Sequence, residues 1–372
     1  MLWRADEHEE LTDRGWDERR AAAALAAIVD DAEGACEDGF WPGHPLDDVG
    51  ERPSLCGHYF GSAGMVWALH QLGSAIDAPE MLAAVLDHYR AAPHIEERVH
   101  APSYWMGETG LLVVAACVGS PAADRERLRR LVRENRNHPT WELMWGSPGT
   151  TLAARWCGLE EEWRESARLL AKRWEEEETG VWTQTLYGRV AHYLGPAHGF
   201  AGNVHALRGS LSDRVLRERV APVLDRTALR EDDLANWPPV TPATQSSGAN
   251  RVQWCHGAPG IVHALGDLME LELALAGGEL IWRSGPLRKG AGLCHGTAGN
   301  GWTFLKLLAL TGDERWLERA RRFATHAIEQ VGRERTRVGR GRYTLWTGDI
   351  GVALYLRACI DADARMPTFD YV

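Results

Sequence analysis

Three histidines and two cysteines, residue types that ligate metals and carry protons, stand directly before short glycine motifs of the form Gly-x-x-Gly. His198 precedes one motif, Cys255-His256 precedes the next, and Cys294-His295 precedes the one after that. Two thiolates and one imidazole suit zinc, and three protein ligands leave a fourth position open for water or a substrate. The sequence therefore predicts a zinc site formed by Cys255, Cys294 and His295. The alternative is two buried cysteines and a surface histidine.

The spacing of the motifs supports this site. Seven Gly-x-x-Gly motifs run through the chain at intervals of 39 to 58 residues. They begin at Gly61, Gly107, Gly146, Gly199, Gly257, Gly296 and Gly348. A period of this size is typical of a repeat architecture. Cys255 and Cys294 are 39 residues apart, which is one repeat, so we expect them at equivalent positions on neighbouring units and close in space.

His198 and Glu142 are candidates for acid/base chemistry. The register of His198 matches that of His256 and His295, so it is expected at the same end of the molecule, where an imidazole can donate a proton near neutral pH. Glu142, four residues before the third motif, is a candidate to orient a base or to stabilise a cation. The alternatives are a helix-start histidine bonded to backbone and a capping carboxylate.

Two basic residues precede the cysteine motifs. Lys289 lies five residues before Cys294, and Arg251 lies four residues before Cys255. Cations beside a zinc–thiolate site stabilise a developing oxyanion or hold a substrate carboxylate, which makes both residues candidates for substrate binding. The alternative for each is an ordinary surface charge.

A helical scaffold is expected to position these residues. Each motif opens a segment with few charges, such as Leu111–Ala116, and charged amphipathic segments such as Arg125–Arg133 lie between the motifs. A helix that is apolar nearly all round is buried, whereas apolar residues recurring at three and four mark a helix with one face in water. The sequence thus predicts an all-α fold of seven inner and seven outer helices in a two-layer ring, with no substantial sheet.

The motif glycines are expected to adopt positive φ and to let backbone pass closely at the inner-helix N-termini. This arrangement would gather all seven motifs at one end of the ring. Residues 232–253 depart from the repeat pattern and are predicted to form a long loop that covers the site. The alternative for this stretch is a plain connection.

Length and composition narrow the function classes. The repeats span nearly the whole chain of 372 residues, which predicts a single domain over residues 1–372. The net charge of -11 argues against nucleic acid as a partner, because nucleic acid favours a basic surface. We see no signal peptide and no stretch able to span a membrane, so we expect a cytoplasmic protein. Its seven cysteines should then be free, buried or metal-bound.

Three segments resemble the lanthionine synthetase C (LanC) family, namely Val252–Gly260, Lys289–Asn300 and Ala197–Gly202. The resemblance covers essentially the whole chain, since all seven motifs fit the family's seven repeats. It is closest to the LanC-like branch known in eukaryotes, in which histidine follows the first cysteine, as His256 does here. Many bacterial cyclases have tyrosine at that position. The resemblance implies an α/α toroid of seven inner and seven outer helices with zinc at its centre.

The resemblance also assigns roles to single residues. The implied zinc ligands are Cys255, Cys294 and His295. The implied catalytic residues are His198, Arg251, Glu142 and His256. The acidic position is aspartate in bacterial cyclases, so Glu142 departs from the family pattern. Lys289 matches a lysine associated with glutathione binding, and the arginine that would accompany it just before the seventh motif is Arg340 or Arg342.

The chemistry implied by the resemblance is the zinc-dependent addition of a thiol to dehydroalanine or dehydrobutyrine. The thiol belongs either to a cysteine of the same dehydrated precursor peptide, which gives a lanthionine ring, or to free glutathione. Because no kinase, lyase or dehydratase region is visible, a separate partner is expected to make the dehydroamino acid. Two alternatives are a non-catalytic adaptor that binds zinc and glutathione, and a protein prenyltransferase β-subunit, which has a different ligand pattern.

Overall fold

The computed structural model describes residues 1–47, 55–91, 101–243 and 250–372, which fold into fourteen α-helices and two short β-hairpins. The helices alternate between an outer and an inner layer. The outer helices are α1 (Glu18–Gly34), α3 (Ala78–Ala91), α5 (Arg125–Asn135), α7 (Glu160–Glu175), α9 (Asp213–Thr227), α11 (Leu271–Ser284) and α13 (Glu314–Val338). The inner helices are α2 (Ser62–Gln71), α4 (Glu108–Val118), α6 (Ser147–Trp156), α8 (Phe200–Ala206), α10 (Ala258–Leu265), α12 (Thr297–Thr311) and α14 (Asp349–Asp361). The predicted all-α architecture of seven inner and seven outer helices is confirmed.

The inner helices form a closed ring. Each inner helix contacts the next one in chain order, and α14 returns to contact α2. The first outer helix, α1, packs against α14, so the beginning of the chain closes the outer layer around the last inner helix. The inner layer is enclosed as a result, which explains why its helices are apolar on nearly all sides, as in α4, where Leu111–Ala115 are all buried.

The outer helices are amphipathic, and several of them begin with polar caps. In α5, Leu128 and Leu131 are buried, whereas Arg130 faces solvent. The side chain of Asp124 caps this helix by accepting a hydrogen bond of 2.8 Å from the backbone N–H of Arg127. These helices present one face to the inner ring and one to water. No helix in the described part of the chain is both long enough and apolar enough to cross a membrane.

Several inner helices begin differently, because backbone carbonyls rather than side chains accept their first N–H groups. In α12, the N–H groups of Thr297 and Ala298 each donate at 3.0 Å to the carbonyls of Gly290 and Ala291, seven residues earlier. The same spacing recurs at the starts of α2, α8 and α14. Each of these turns folds the incoming loop back along the first turn of the helix that follows it. The loop thereby satisfies N–H groups that have no partner within the helix.

This close approach of backbone, and not positive φ, explains the second glycine of each motif. A Cβ atom there would lie 1.7 to 2.3 Å from a carbonyl oxygen six residues earlier in all seven motifs, which is far inside van der Waals contact. The first glycines cap the inner helices, and among them only Gly257 has a positive φ, at 102°. The predicted close passage of backbone is confirmed, whereas the predicted positive φ is wrong for every motif glycine except Gly257.

Two antiparallel hairpins interrupt the helical pattern. Strands β1 (Gln184–Leu186) and β2 (Arg189–Ala191) precede α8, and strands β3 (Leu229–Glu231) and β4 (Leu234–Asn236) follow α9. The prediction of no substantial sheet therefore holds for the described residues. The predicted loop over residues 232–253 contains β4, which is a correction, and its residues 244–249 lie outside the described residues. Its predicted role as a cover stays a prediction.

The C-terminal segment packs against residues that precede the motifs. Phe369 lies edge-on against Trp254, with ring centroids 5.2 Å apart. The Tyr104 hydroxyl donates to the carbonyl of Thr368, and Nε1 of Trp346 donates to the Thr368 hydroxyl, both at 3.2 Å. The segment thus holds residues of the second, fifth and seventh repeats together in the interior of the ring.

Replacing a second motif glycine by alanine is expected to destabilise the fold. In Gly64→Ala, the new Cβ would lie 2.2 Å from the carbonyl oxygen of His58, so backbone must move. We expect the free energy of unfolding to fall by about 3 kcal/mol in chemical denaturation, the upper end of overpacking effects. The matched control is Gly332→Ala in the middle of α13, where a Cβ meets nothing within 4 Å. That change should stabilise the protein by about 1 kcal/mol; similar effects at both positions would contradict the packing argument.

Candidate metal centre

The two residues that directly precede each glycine motif line the end of the ring at which the inner helices begin. The residue two positions before the first glycine is buried in every repeat, and we call these residues the floor. The floor consists of Tyr59, Trp105, Met144, Ala197, Cys255, Cys294 and Trp346. The residue one position before the glycine is half-buried in six repeats and buried in the seventh, and we call these residues the mouth. The mouth consists of Phe60, Met106, Trp145, His198, His256, His295 and Thr347.

Backbone hydrogen bonds join the floor residues of neighbouring repeats in the same register. The N–H of Cys255 donates to the carbonyl of Cys294 at 3.0 Å, and the N–H of Cys294 donates to that of Trp346 at 2.9 Å. The chain of bonds continues from Trp346 to Tyr59 at 3.4 Å and from Tyr59 to Trp105 at 3.0 Å. Equivalent positions of successive motifs therefore lie side by side, and this places Cys255 next to Cys294.

The structure brings together the three residues that the sequence singled out as metal ligands. One ligand atom each from Cys255, Cys294 and His295 lie within 4.8 Å of one another. Both cysteines are buried, whereas His295 is half-buried and belongs to the mouth. None of the seven cysteines forms a disulfide, so both thiols are available as ligands. Two thiolates and an imidazole at this spacing fit a tetrahedral metal ion with one position left open.

Polar side chains surround the two sulfur atoms. Nε2 of Gln253 donates to Sγ of Cys255 at 3.1 Å, and the buried Tyr59 hydroxyl forms a side-chain hydrogen bond with Cys294. A hydrogen bond between the two cysteines lowers the pKa of Cys255 well below its usual range and raises that of Cys294. The pair therefore readily gives up one proton. Donors of this kind orient ligands and tune a bound metal.

Sequence reasoning missed Tyr59 and Gln253. Tyr59 occupies the same position in the first motif as Cys294 does in the sixth, so the repeat register could have placed it in the floor. Its ring stacks on Trp346 with an interplanar angle of 3°. Its residue type resembles the core aromatics around it, and the sequence offers no sign that its hydroxyl reaches a cysteine. Gln253 lies two residues before Cys255 and carries no motif of its own.

The structure also brings His198 and Glu142 together. Nδ1 of His198 lies 3.1 Å from Oε2 of Glu142, whose side chain is fully buried. Glu142 in turn accepts the backbone N–H groups of Met144 at 3.0 Å and Trp145 at 2.6 Å. The carboxylate both caps backbone and orients the imidazole, so the two interpretations of Glu142 are both realised. With Nδ1 as the donor to Glu142, Nε2 of His198 is the acceptor nitrogen of the neutral ring.

His256 stacks on His198 in the mouth. The ring centroids are 5.5 Å apart and the planes differ by 27°. Burial lowers the pKa of His256 to about 4, and the charge of Arg251 acts in the same direction. The His256 imidazole is therefore neutral at physiological pH. Arg251 itself is exposed to solvent, close enough to His256 to influence its charge.

A cavity of about 510 Å³ adjoins the mouth, and Lys289 lines it. Its other basic lining residues are Arg288, Arg333, Arg337 and Arg342. The cavity reaches the mouth at Thr347, and the charge of Lys289 acts on Cys294. Glu334 and Asp349 also line the cavity, so its basic side chains outnumber its acidic ones. Such a lining suits an anionic ligand that carries several carboxylates.

The two arginines before the seventh motif differ in position. Arg342 lines the cavity and is buried, and its Nε donates to Oδ1 of Asp47 at 2.9 Å. Arg340 is exposed, donates to the backbone carbonyl of Gly43 and does not line the cavity. Of the two candidates that the sequence left open, Arg342 is therefore the one placed beside Lys289.

The fold and the site together define an α/α toroid with a Cys2His candidate metal centre at one end. The chain belongs to the lanthionine synthetase C-like protein family, whose model matches residues 55–370. The solved structure of nisin cyclase has the same fold, with a TM-score of 0.53 and 13% sequence identity over 92% of this chain and 98% of that one.

The chain is also similar to two curated proteins. It is 28% identical to "Glutathione S-transferase LANCL1" of Danio rerio over 356 residues, which cover 86% of each chain. It is 30% identical to "LanC-like protein GCL1" of Arabidopsis thaliana over 193 residues. The second match spans 48% of this chain and 43% of that protein, less than half of either.

Loss of one candidate ligand is expected to remove a bound metal. Purified protein should contain one metal ion per chain by elemental mass spectrometry, and Cys294→Ser should lose nearly all of it, because two ligands hold a metal ion far less tightly than three. The matched control is Cys36→Ser, which changes a half-buried cysteine outside the site. Equal metal content in both variants would rule out this assignment.

Removal of the Tyr59 hydroxyl should weaken the metal site without abolishing it. Tyr59→Phe keeps the ring that stacks on Trp346 but deletes the hydrogen bond to Cys294. We expect about tenfold weaker metal affinity in competition with a chelator, as for other residues that support metal ligands. An affinity equal to that of the wild type would show that the hydroxyl does not support the site.

Proposed function

We propose that this protein catalyses the zinc-dependent addition of a thiol to dehydroalanine or dehydrobutyrine, forming a thioether. The observation that carries the proposal is a Cys2His ligand set beside a histidine–carboxylate pair at the half-exposed mouth of the ring. Membership of the lanthionine synthetase C-like family and the name of the zebrafish relative support thiol chemistry of this kind.

Zinc fits the donor set of Cys255, Cys294 and His295 better than a harder metal does. Soft thiolate ligands select zinc over magnesium or calcium, and these three residues leave the open position that a catalytic site requires. When bound there, zinc supplies Lewis acidity that favours the thiolate form of a substrate thiol at neutral pH. Gln253 and Tyr59 hold the two cysteine sulfurs in place for it.

The reaction requires two proton movements, and His198 is the residue proposed for both. Nε2 accepts the proton of the thiol while Nδ1 stays bonded to Glu142. The thiolate sulfur then forms a bond to the β-carbon as the carbon–carbon double bond breaks. The α-carbon takes the proton back from His198, so the addition is balanced and leaves the enzyme unchanged. Glu142 stabilises the imidazolium that exists between the two transfers.

Negative charge develops on the substrate carbonyl oxygen when the sulfur attacks. Arg251 is the proposed partner of this oxygen, because its charge acts on His256, a residue of the mouth. His256 is neutral and packs against His198, so we propose that it keeps the catalytic imidazole in its orientation and can donate one hydrogen bond to the substrate. Both residues thus act on the atoms next to the reacting carbon.

The cavity beside Lys289 favours free glutathione as the thiol. Glutathione carries two carboxylates, and the cavity offers Lys289 and Arg342 close to Cys294 and the mouth. The zebrafish relative, similar over most of both chains, is named a glutathione S-transferase. Addition of a cysteine from the same peptide, which closes a lanthionine ring, uses the same metal and the same acid/base residues. A separate dehydration or elimination reaction must supply the dehydroamino acid in either case.

A non-catalytic adaptor that binds zinc and glutathione is the second candidate function. The Lys289 cavity favours it as much as it favours catalysis, since a binding protein needs the same cationic lining. The His198–Glu142 pair distinguishes the two, because a protein that only binds needs no oriented base. We further propose that residues 1–372 act as one unit in the cytoplasm, in keeping with seven cysteines that form no disulfide.

The first test uses a peptide that contains both dehydroalanine and cysteine, incubated with purified protein with and without glutathione. Addition of glutathione appears as a gain in peptide mass, and ring closure appears as loss of the free thiol at unchanged mass. We expect the glutathione adduct. Ring closure without glutathione would assign the protein to the cyclases instead. If protein shown to contain zinc forms neither product, the proposed catalysis on this peptide is overturned and the adaptor function is favoured.

His198 should be essential for turnover but not for metal binding. We expect His198→Asn to lower the rate of addition by at least about 100-fold, the usual contribution of general acid/base catalysis. Its zinc content should stay at the wild-type level. The control is His70→Ala, which removes an exposed histidine at the end of α2. An unchanged rate in the His198 variant would exclude it as the acid/base residue.

Lys289 should affect glutathione binding more than the chemical step. Lys289→Ala removes one cation from the cavity, so KM for glutathione should rise about tenfold while kcat changes little, as expected for loss of a charged contact. Arg340→Ala is the matched control, because Arg340 lies outside the cavity and should leave KM unchanged. Equal effects of the two substitutions would show that glutathione does not bind in this cavity.

A further inference from the structure

Tyr187 stands at the tip of the β1–β2 hairpin in a backbone conformation that its side chain disfavours. Its φ is 53°, and the φ of Gly188 is 72°, so both residues of the two-residue turn are left-handed. Turns of this kind favour Asn-Gly or Asp-Gly, and a bulky aromatic residue at the first position is unfavourable. Strain of this sort persists where function keeps the residue.

The second hairpin provides a direct comparison. Asp232 occupies the same turn position between β3 and β4, with the same φ of 53°. Aspartate tolerates this conformation well, because its short side chain bonds to local backbone. The chain therefore uses a favoured residue in one hairpin and a disfavoured one in the other. Tyrosine is not the residue that the β1–β2 turn itself favours, and its side chain instead contacts the mouth through His198 and a hydrogen bond with Trp145.

The side chain of Tyr187 lies at the mouth of the candidate active site. Its ring centroid is 5.8 Å from that of His198, with the two planes at 70°. The residue is 66% exposed, and Val190 on the same hairpin is 69% exposed. Only five large hydrophobic residues are exposed among the described parts of the chain, and two of them are on this hairpin. An exposed aromatic ring beside a candidate catalytic residue is the arrangement expected of a contact surface for substrate.

The hairpin is tied firmly to His198. The buried Gln184 of β1 donates from Nε2 to the backbone carbonyl of His198 at 2.7 Å and to that of Thr140 at 2.9 Å. Its Oε1 accepts the backbone N–H of Tyr193 at 3.0 Å. Gln184 therefore links the hairpin to the loops that carry both His198 and Glu142. Tyr187 is held at a fixed distance from the acid/base pair, as a specificity residue must be.

We infer that Tyr187 determines peptide specificity by packing against an apolar side chain next to the dehydroamino acid. This inference rests on the proposed function, in which the reacting carbon lies at His198. An extended peptide advances roughly 3.5 Å per residue, so a ring 5.8 Å from His198 reaches the residues one or two positions from the reacting one. An aromatic ring binds an apolar side chain there better than a glycine or a charge.

The decisive variant is Tyr187→Asn, because asparagine suits the turn and the fold should be retained. The substrates are two dehydroalanine peptides that differ only in having leucine or glycine next to the reacting residue, with glutathione as the thiol. We expect the ratio of kcat/KM for the leucine peptide to that for the glycine peptide to fall about tenfold. The melting temperature should be equal to or above that of the wild type.

Two further variants test whether loss of the aromatic ring causes the fall in the leucine-to-glycine ratio. Tyr187→Phe keeps the ring and should keep the leucine-to-glycine ratio, whereas a loss there would assign the effect to the hydroxyl and overturn the packing argument. Asp232→Asn makes the same kind of turn substitution in the second hairpin and should leave the ratio unchanged. A tenfold fall in this control would mean that any turn change perturbs the enzyme, which also overturns the inference.

A binding measurement separates the inference from the proposed function. Fluorescent forms of the two peptides, with alanine in place of dehydroalanine, are titrated with the wild type and with Tyr187→Asn. We expect the Kd of the leucine peptide to rise about tenfold in the variant relative to that of the glycine peptide. If this shift occurs but the wild type shows no turnover, the contact between Tyr187 and the peptide is supported and the proposed catalysis is rejected. Turnover with both ratios unchanged within twofold would retain the catalysis and reject the role of Tyr187.

Discussion

The close approach of each incoming loop to the first turn of its inner helix is the constraint on which the rest of the structure depends. Carbonyl groups seven residues upstream cap the helix N–H groups, as in the bond from Thr297 to Gly290. This geometry leaves no room for a Cβ on the second motif glycine. In α2, α8, α12 and α14, backbone hydrogen bonds therefore fix the loop to the helix, and the side chain two positions before the motif remains free to vary. The same turn can be repeated seven times with a different residue two positions before each motif.

Because the turns are alike, the backbone bonds between neighbouring turns keep the same register. Cys255 donates to Cys294 through the same pair of atoms by which Tyr59 donates to Trp105. In one case the side chains are candidate metal ligands, and in the other they are aromatic packing residues. The scaffold thus determines which positions face the floor and which face the mouth, and the residue types at those positions determine the chemistry. A few residues therefore determine the chemistry of the site, although elements from the whole ring position them.

The features that follow from the repeat were predictable from sequence, and those that depend on a single side chain were not. The period of the glycines and the alternation of apolar and charged segments predicted the two helical layers, and the one-repeat spacing predicted that Cys255 and Cys294 meet. The predicted close passage of backbone at the glycines was right, but their predicted positive φ was wrong for all except Gly257, since sequence alone does not reveal the φ of a glycine. Tyr59 looks like a core aromatic until its hydroxyl is seen at Cys294. Arg340 and Arg342 are two residues apart, and only the path of the chain before α14 decides which one lines the cavity.

The mouth is polar on one side and apolar on the other, and this asymmetry connects the metal centre to substrate binding. Going round the ring, the fourth to seventh repeats contribute His198, His256, His295 and Thr347. The first to third repeats contribute Phe60, Met106 and Trp145. Neighbouring inner helices are in contact all round, so these two arcs face each other across one opening. A peptide with a reactive dehydroamino acid would use both arcs, because its polar reacting atoms must meet the histidines while its apolar side chains leave water. Tyr187 lies near the boundary, against His198 and beside the Trp145 indole, and so extends the apolar arc to the residue that we propose moves the proton.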